Sequence, residues 1–486
     1  MPYPKSHEIN WNDEAVWKDM LRSPIGIFQF ESAFAFDSLK RFKPQSVFDM
    51  SLVTACIRPS GASYRDELLD RKPHTNPSPI IDELLKDNLG YLIYQEDTIK
   101  FLQLICGLSG SEADNIRRAI GRKQKERLDA ALPSIFEGYC SKSPQPRQIA
   151  ETEAKEFLQI IEDSASYQFG YNHSVGYCMI GYLCAYLRYY HPQEFITAYL
   201  NNADTDTDVK NGSELAQLYK LRILPPRFGR SKDKYVYDRT EGHIYKGIGS
   251  VKYLNSAVSD ELYELAETLQ PESFMELLWG AEVLTSIDTR QREILIKLDF
   301  FDTFGNAREL LRIVDFFEFF KCGSSKKISK DKVQNETMAE VISRHATDIQ
   351  KSGGIAKSYT ITDMFGLLHD CEALVKSLGI TDFDIKMKMG FQEEFLGYID
   401  LTTNKEADRR KLIITNVYPL KSKTNGETWG YTILTRSIGS GKTSRLTVRS
   451  KLYDKQPLKK MDVIYAHDVR QDKKGYWSLL AYDRIA

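Results

Sequence analysis

Apolar residues recur at helical spacing through residues 1–200. The stretch 150–163 predicts an amphipathic helix, because four apolar residues share one face: Ala154, Phe157, Ile160 and Ile161. Residues 174–190 are apolar on nearly every side, which predicts a central, buried helix. Pro192 suits the first turn of the helix that follows.

A further helix is predicted to begin at Ser111. Asp114 follows Ser111 by three residues, and this pairing resembles a capping box that satisfies the first free amide groups of a helix. Ile116, Ala119 and Ile120 then share an apolar face, and Gly121 marks the expected end. This predicted helix carries most of the basic residues discussed below.

The second half of the chain changes character several times. A polar stretch near residue 204 reads as a linker, residues 219–250 predict short strands and turns, and residues 255–320 predict helices again. The lysine-rich stretch 321–336 predicts another linker. The last 95 residues contain five or six short β-rich runs separated by turn signals, which predict a small closed barrel. The fold class is therefore multidomain α+β.

Composition narrows the class of protein. The 486 residues are 42% hydrophobic and 27% charged with a net charge of -1, so any affinity for nucleic acid must come from local basic patches. Seven cysteines form no C-x-x-C pair, which argues against a zinc site or a disulfide framework and fits a reducing cytoplasm. The polar N-terminus is no signal peptide, and the uncharged run 174–187 is too short for a bilayer.

The first candidate for chemistry is a basic stretch within residues 117–127. Guanidinium groups pair phosphate oxygens in a bidentate manner, so such a face suits a polyphosphate or a nucleic-acid backbone. A solvated surface helix is the alternative. The basic residues are Arg117, Arg118, Arg122, Lys123, Lys125 and Arg127.

Two other segments carry candidate ligand contacts. Tyr167, Phe169 and His173 precede the apolar helix, where aromatic faces could stack on bases and an imidazole could contact phosphate. A packed aromatic core is the alternative. Gly247 and Gly249 form a glycine turn ahead of a helix that could present amide groups to phosphate, as in a helix-hairpin-helix element. An ordinary turn is the alternative.

Three apparent motifs are rejected. Residues 439–443 resemble a phosphate-binding loop, but Arg436 stands where its first glycine is needed and a strand follows. Asp204, Asp206 and Asp208 fail as a calcium loop, since Val209 stands at position six, and they indicate a polar linker. The pair 382–384 is given no catalytic role.

The order of nine motifs resembles the alpha subunit of bacterial DNA polymerase III, a C-family polymerase. The motifs lie at 26–32, 58–59, 90–96, 113–123, 167–174, 190–195, 223–226, 245–249 and 295–302. Each is modest alone, whereas nine in the order of that family across about 300 residues are specific. The C-terminal strands resemble the OB-fold of the same family.

This resemblance implies roles for individual residues. The incoming nucleotide would be held by Arg117, Arg118, Lys123, Tyr167, Phe169 and His173. Duplex DNA would be contacted by Arg58, Gly247, Gly249 and Lys252. Asp363, Met364 and Phe365 resemble the tail of a peptide that binds the sliding clamp.

Several positions depart from the pattern of the family. Tyr171 stands where the family has lysine, Ile361 replaces the leading glutamine of the clamp peptide, and residues 58–61 replace the usual Arg-Pro-Gly-Pro loop. These changes favour a divergent, phage or prophage member. No Pro-Asp-x-Asp strand occurs in the sequence, and the family's palm aspartates, which bind two Mg²⁺ ions, are therefore expected on another chain.

The sequence thus predicts four regions: fingers at 1–205, the rest of the fingers and a helix-hairpin-helix region at 206–320, a linker and clamp-contacting region at 321–390, and an OB-fold at 391–486. The predicted function is DNA-templated DNA synthesis as one part of a split or truncated polymerase, inactive in isolation. Its expected partners are primer-template DNA, single-stranded DNA at the barrel, a palm-bearing chain and the sliding clamp. A non-catalytic DNA- and clamp-binding accessory module is the alternative.

Overall fold

The computed structural model describes residues 5–58, 62–164, 168–321, 326–333, 335–347, 356–397, 410–422, 424, 426–438, 443–473 and 475–485. The chain divides into two compact units, Met1–Lys220 and Leu221–Ala486. The first break therefore lies after Lys220, whereas the sequence placed a region boundary after residue 205. The helix Asp206–Leu218 belongs to the first unit, where it packs on Pro192–Asn201.

The described residues of the first unit form helices joined by loops, and one isolated β-bridge connects Tyr94 to Phe169. Its α-helices are α1 Glu14–Met20, α2 Ala33–Phe42, α3 Val47–Cys56, α4 Arg65–Leu69, α5 Pro79–Leu85, α6 Gln95–Lys100, α7 Gly110–Gly121, α8 Lys125–Lys142, α9 Arg147–Ser164, α10 Tyr171–Tyr190, α11 Pro192–Asn201 and α12 Asp206–Leu218. A π-helix, Phe101–Ile105, continues α6. Two hydrophobic clusters form its core, one around α1–α3 and α10 and one around α7–α9.

Helix α7 begins two residues earlier than its sequence predicted. Ser109, and not Ser111, is the N-cap: its hydroxyl accepts from the Glu112 amide at 3.3 Å, and Glu112 accepts from the Ser109 amide at 2.9 Å. Both serine–acid pairs have the same spacing, so the pattern alone does not select between them. The predicted cap at Ser111 was wrong, while the predicted end at Gly121 is confirmed.

Helix α10 is less buried than its composition predicted. One face, including Cys178, Tyr182, Ala185 and Arg188, lies in the core. The opposite side leaves apolar side chains in solvent: Met179, Ile180, Tyr189 and Tyr190. The expectation of a central helix buried all round was therefore wrong, although the helix itself and the first-turn position of Pro192 are confirmed.

The polar stretch near residue 204 also differs from its prediction. Thr205 is the N-cap of α12, because its hydroxyl accepts from the Asp208 amide at 3.2 Å and Asp208 accepts from the Thr205 amide at 3.1 Å. Aspartate in the first turn of a helix is favoured by the free amide groups and by the helix dipole. Thr205 and Asp208 therefore cap the start of a helix, and the linker prediction was wrong from Thr205 onward.

The second unit mixes helices with two small sheets and a barrel. Its elements before the barrel are β1 Ile223–Leu224, β2 Val236–Asp238, β3 His243–Tyr245, α13 Ser256–Leu269, α14 Phe274–Leu284, α15 Thr289–Lys297, α16 Ala307–Phe320, β4 Lys326–Ser329, α17 Glu336–Arg344, β5 Ala346–Thr347, β6 Ser358–Ile361, α18 Met364–Ser377 and α19 Ile385–Leu396. The strands β1–β3 form one sheet with β3 in the centre.

The described residues of the predicted linker at 321–336 include strand β4 and the first residue of α17, so the linker prediction was wrong for them. Strand β4 pairs antiparallel with β6, which also pairs with β5. Ile328 of β4 is buried in the same hydrophobic cluster as Phe317 of α16 and Leu367 of α18. The lysines around Ile328 hid this core contact, because a single buried residue in a four-residue strand gives little periodic signal.

The C-terminal residues form a closed five-stranded barrel, which confirms the predicted α+β class with a barrel at the end. Its strands are β7 Lys411–Lys421, β8 Thr428–Ser437, β9 Thr443–Arg449, β10 Val463–Gln471 and β11 Trp477–Arg484, with a short helix α20 Ser450–Tyr453. They pair in the order β10-β11-β9-β8-β7, and β10 closes on β7. The strand at Thr443 agrees with rejecting a phosphate-binding loop, although residues 439–442 lie outside the described residues.

Across the described residues, none of the helices is both long and apolar enough to cross a membrane.

Candidate nucleic-acid interface

Arg117 and Arg118 share one carboxylate on the exposed side of α7. Asp114 Oδ1 accepts from Arg117 Nε at 3.0 Å and Nη2 at 2.8 Å, and Asp114 Oδ2 lies 2.7 Å from Arg118 Nη2. The bond from Arg117, followed by the charges of both arginines, lowers the pKa of Asp114 below its usual value. The Arg118 side chain remains 56% exposed. The pair thus presents two guanidinium groups around one aspartate.

Gln95 connects this arginine pair to the aromatic segment. Its side-chain oxygen accepts from Arg117 Nη1 at 2.9 Å, and its side-chain nitrogen donates to the Gln168 carbonyl at 3.2 Å. Its backbone amide also donates to the Phe169 carbonyl at 3.0 Å. No role for Gln95 was predicted from the sequence, although it lies in the motif at 90–96. Its side chain holds the basic helix against the segment that precedes α10.

Edge-on ring contacts run from Phe169 into the first turns of α10, and Arg58 adds a cation to them. Phe169 lies edge-on to His173 with ring centroids 5.3 Å apart, and His173 lies edge-on to Tyr177 at 4.1 Å. The Arg58 guanidinium lies over the Phe169 ring, 3.9 Å from its centroid. His173 is exposed. Arg58, Phe169 and His173 therefore form one surface, while Tyr167 falls outside the described residues.

Tyr171, which occupies the lysine position of the family pattern, packs inward. Its ring lies edge-on to Tyr94 at 5.1 Å and 6.2 Å from Phe48. Its backbone amide donates to Glu96 Oε2 at 2.9 Å, so this carboxylate caps the start of α10. The position that would carry a cation in the family instead contributes to the core.

Lys123 lies just beyond α7 in a strained backbone conformation. Its φ of 56° is left-handed, which allows its amide to donate to the Ile120 carbonyl at 3.0 Å and turns the chain into α8. Its side chain is exposed. This places the lysine at the end of the helix that carries the arginine pair, while its role toward a nucleotide stays a prediction.

In the second unit, Gly247 and Gly249 pack against the backbone of Asp233 and Lys234. A Cβ on Gly247 would lie 2.2 Å from the Asp233 carbonyl oxygen, and one on Gly249 would lie 2.0 Å from Asp233 Oδ1. The Gly249 amide donates to the Asp233 carbonyl at 2.9 Å. That amide is therefore already bonded, which removes it from the proposed set of phosphate donors. Contact of this turn with DNA by other atoms stays a prediction.

Lys252 has a structural partner near the same turn. Its ammonium group donates to the Glu394 carbonyl at 2.7 Å, and its backbone amide donates to the Phe395 carbonyl at 2.9 Å. Both acceptors belong to the last turn of α19, where free carbonyl groups favour a cation. Lys252 thus ties the glycine turn to α19, and its contact with DNA stays a prediction.

The segment expected to bind the clamp begins a helix. Asp363 is the N-cap of α18 and accepts from the Gly366 amide at 2.9 Å. Met364 is 8% exposed and packs in the core, whereas Phe365 is 50% exposed. The two apolar residues therefore do not project into solvent together. In this conformation Phe365 alone could enter a pocket on a partner, and clamp binding stays a prediction.

The barrel presents aromatic rings to solvent. Trp429 is 42% exposed, and the Arg449 guanidinium lies 5.1 Å from its ring centroid. Tyr418 on the neighbouring strand is also exposed, as are Tyr476 and Trp477 at the start of β11. Exposed rings with adjacent cations are the features that bind single-stranded nucleic acid on many barrels.

Comparison with known proteins identifies relatives of the part of the chain that carries Arg117 and Arg118. Residues 4–143 match the sequence profile of the bacterial DNA polymerase III alpha subunit finger domain. The chain is thus related to part of the bacterial DNA polymerase III alpha subunit. The matched residues include Arg58, Gln95, Arg117, Arg118 and Lys123, which lie in the network described above.

Curated alpha subunits extend the relationship beyond the finger domain. The DNA polymerase III subunit alpha of Campylobacter jejuni is 26% identical over 80% of this chain and 31% of its own length. That of Aquifex aeolicus is 28% identical over 63% of this chain and 26% of its own. That of Bacillus subtilis is 29% identical over 62% and 27%. The matched part spans less than a third of the length of each relative.

The polymerase relationship raises the question of a bound metal. Among the residues that the structure describes, no group of three or more histidine, cysteine, aspartate or glutamate side chains is arranged to hold a metal ion. Asp114, the acid nearest the arginine pair, is neutralised by two guanidinium groups. No chemical step is therefore assigned to a metal held by these side chains, and the binding of Mg²⁺ by another chain stays a prediction.

Proposed function

We propose that this chain takes part in DNA-templated DNA synthesis as the nucleotide-gripping, duplex-binding and barrel-bearing part of a divided polymerase. The palm, with its catalytic aspartates and Mg²⁺, comes from another polypeptide on this proposal. The isolated chain would bind nucleotide and DNA without joining nucleotides. The relationship to DNA polymerase III alpha subunits supports the polymerase lineage.

The hydrogen-bonded connection from Arg118 to Phe169 carries this proposal. Asp114, Arg117 and Gln95 link the basic helix to the ring surface of Phe169 and His173 through bonds of 2.7 to 3.2 Å. A site that binds a nucleoside triphosphate needs cations that pair with the phosphates and a ring surface that stacks on the base. Their connection within one rigid network gives both parts a fixed relative position.

Arg118 is the group that would reach the triphosphate first. Its side chain is exposed and its pairing with Asp114 is a surface ion pair, which contributes little to stability. A triphosphate carries more negative charge than one carboxylate and can accept bidentate bonds, so Arg118 can exchange partners. Arg117 is held by both Gln95 and Asp114 and would keep Asp114 in place during this exchange.

The other partners follow from the remaining surfaces. Arg58, stacked on Phe169, would contact primer-template DNA, and the exposed rings around Trp429 would stack on unpaired template bases. A sliding clamp would engage Phe365. These assignments rest on exposed cations and rings at the positions named and on the family relationship.

Nucleotide binding tests the central part of the proposal. Isothermal titration of the full chain with a deoxynucleoside triphosphate should show saturable binding that weakens about tenfold or more in Arg118→Ala, the loss expected for a charge-assisted contact. Arg147→Ala is the matched control, since Arg147 is also exposed and pairs with two carboxylates, Glu137 on α8 and Glu151 on its own helix α9. Equal affinity in wild type and Arg118→Ala would remove this arginine from the site.

Primer extension separates the divided polymerase from the accessory module. The chain alone, with Mg²⁺ and all four nucleotides, should extend no primer, and measurable extension would refute the proposal that catalysis needs another chain. Addition of a candidate palm-bearing chain should restore extension that depends on Arg118. If extension by that partner is the same with and without this chain while DNA binding persists, the accessory module is the better description.

A further inference from the structure

An apolar groove lies in the second unit, and none of the residues assigned a role above lines it. It is walled by one face of α16 and by β4, the turn after it and α17, and it encloses about 480 Å³. Its apolar lining consists of Phe316, Phe319, Phe320, Ile328, Val333, Met338 and Ile342. Concave sites that bind ligands or peptide side chains typically have about 300–1,000 Å³.

Buried aliphatic residues form the base of the groove, and an exposed aromatic ring forms part of its wall. Ile328 and Ile342 are 6% and 1% exposed, so they belong to the hydrophobic core. Phe319 is 56% exposed, although it lies on the same helix face as the half-buried Phe316. An aromatic ring of this exposure over a buried aliphatic floor is a common mark of a binding surface. Met338 adds a flexible wall that can adapt to different side chains.

Positive charge surrounds this groove. The segment Lys326, Lys327, Lys330, Asp331 and Lys332 carries four lysines and one aspartate. The Lys326 ammonium lies 4.5 Å from the Phe319 ring centroid, and the Arg312 guanidinium lies 5.2 Å from that of Phe316. Asp315 is the acid in the lining, and it lies 3.4 Å from Arg312. A partner that fills the groove would therefore meet an excess of cations at its rim.

We propose that this groove binds an acidic amphipathic helix of a partner protein. The residues on the α16 wall, from Arg312 to Phe319, extend over about 10 Å of helix, which spans two apolar side chains one turn apart. Apolar side chains at helical spacing would enter between Phe319 and Met338, and flanking carboxylates would pair with Lys332 and Arg312. This is the geometry by which amphipathic helices dock into grooves.

A nucleic acid fits this surface less well. Of the seven apolar lining residues, four are aliphatic or thioether side chains, which offer no flat ring face for base stacking, and Phe320 is buried. A second copy of this chain is a further possible occupant, since exposed apolar grooves also form homodimer contacts. Both alternatives give outcomes that differ from those of an acidic helix.

Fluorescence anisotropy with the full chain tests the proposal. The probe is a fluorescein-labelled helical peptide of about 16 residues built from glutamate and alanine, with leucine at one helical face. We expect saturable binding of this probe, and much weaker binding of two controls, one with alanine for each leucine and one with lysine for each glutamate. A probe that binds no tighter than the alanine control would overturn the proposal.

Paired variants connect binding to the groove. Phe319→Ser and Lys332→Glu should each weaken the probe about tenfold, the loss typical of a central interface contact. Val283→Ser and Lys386→Glu are matched controls, because both residues are exposed on other helices of the same unit. Circular dichroism confirms folding of each variant. Equal losses in the control variants, or none in the groove variants, would contradict the assignment.

Two further measurements separate the other occupants. Light scattering of the full chain would reveal a dimer, and a dimer that dissociates on Phe319→Ser would assign the groove to a second copy instead. An oligothymidine that displaces the peptide probe, and whose own binding falls in Phe319→Ser, would assign it to nucleic acid. Monomeric chain and no displacement by oligothymidine are the results expected for an acidic helix.

Discussion

Arg117 Nη1 donates to Gln95 Oε1 at 2.9 Å, and the same glutamine is bonded through its backbone to Phe169. The two residues lie on different helices, α7 and α6. Their bond fixes how far the guanidinium pair stands from the aromatic surface. Gln95 is therefore a positioning residue for the proposed nucleotide site.

Replacing Gln95 should weaken nucleotide binding without unfolding the first unit. Gln95→Leu removes the acceptor of Arg117, so we expect the nucleotide Kd to rise about three- to tenfold, as for the loss of one charged hydrogen bond. Gln159→Leu is the control, because Gln159 donates to Asp163 on the exposed surface of the same helix, α9. Titration calorimetry and urea unfolding of both variants provide the comparison. An unchanged Kd in Gln95→Leu would deny the glutamine this role.

Asp97 should respond differently to two substitutions. Its carboxylate accepts from Asn88 Nδ2 at 2.8 Å and from the Tyr94 amide at 2.8 Å, yet burial raises its pKa to about 6. Asp97→Ala leaves these buried donors unpaired and should cost about 1–3 kcal/mol of unfolding free energy. Asp97→Asn keeps an acceptor and removes the buried charge, so it should cost less at neutral pH. Urea unfolding measures both, and a larger loss in the asparagine variant would contradict this account.

The pH dependence of the Asp97 contribution has a definite sign. Its folded pKa of about 6 lies above the ordinary 3.8, so the folded state binds the proton more tightly than the unfolded state does. The contribution of Asp97 to stability therefore decreases as the pH rises from 3.8 to about 6 and is constant above that. Asp97→Asn should abolish this part of the pH profile, and a profile unchanged by the substitution would assign it to other groups.

Gly247 should tolerate no side chain. Its Cβ would lie 2.2 Å from the Asp233 carbonyl and 2.5 Å from the Lys234 backbone, so Gly247→Ala forces two backbone segments apart and should destabilise the second unit by about 1–3 kcal/mol. Gly390 lies in helix α19, and a Cβ added there would meet no neighbouring atom within 4 Å. Gly390→Ala should therefore leave the unfolding free energy unchanged or raise it by up to about 1 kcal/mol. Urea unfolding of the pair is decisive, because similar midpoints in both variants would show that the turn can open.

The second unit should lose stability as the pH rises and His345 loses its proton. Its ring nitrogens lie 2.8 Å from Asp363 and 2.9 Å from Asp370, and Arg344 lies 3.5 Å from Asp370. Burial opposes protonation, but the bonds to Asp370 and Asp363 outweigh it and raise the pKa of His345 above 6.5. Its stabilisation is therefore complete below the unfolded pKa and is lost as the pH rises through the folded pKa.

The test compares wild type with His345→Gln between about pH 6 and pH 8, the range in which histidine titrates. The loss of stability with rising pH should shrink in the variant, as measured by urea midpoints. Asp363 and Asp370 have lowered pKa values, through bonds to Gly366 and His345 and to His345 respectively. Their contribution is lost only on acidification. Parallel profiles for wild type and variant across this range would exclude His345 as the cause.

The fold was predictable where local signals agreed with burial. The barrel strands alternate apolar and polar residues between turn signals, and all five appear in the structure. The burial of α10 was not predictable, because composition shows that a helix is apolar but not which neighbours cover it. Ile328 was missed for the reverse reason, since its lysine neighbours suggested solvent while β6 and α16 enclose it.

The sequence allowed the residues of the candidate site to be predicted, but it did not show which of them lie together. The arginines of α7 and the rings near residue 170 each carry a recognisable chemistry in the sequence. Gln95 carries none, because an amide side chain gains its role only when the bridge between Tyr94 and Phe169 brings both segments together. Such a long-range pairing leaves no periodic trace. The same limit explains Tyr171, whose inward orientation depends on Tyr94 and Phe48.

The closure of the barrel has a consequence for how the chain reaches its native state. Ile413 of β7 pairs with Val463 of β10, fifty residues later. Strand β9 pairs in parallel with β11, although the whole of β10 lies between them in the sequence. Contacts this distant in sequence must wait for a large loss of chain entropy, so they form slowly. The hairpins β7–β8 and β8–β9, whose paired residues are closer in the sequence, should therefore form before these distant pairs close the barrel.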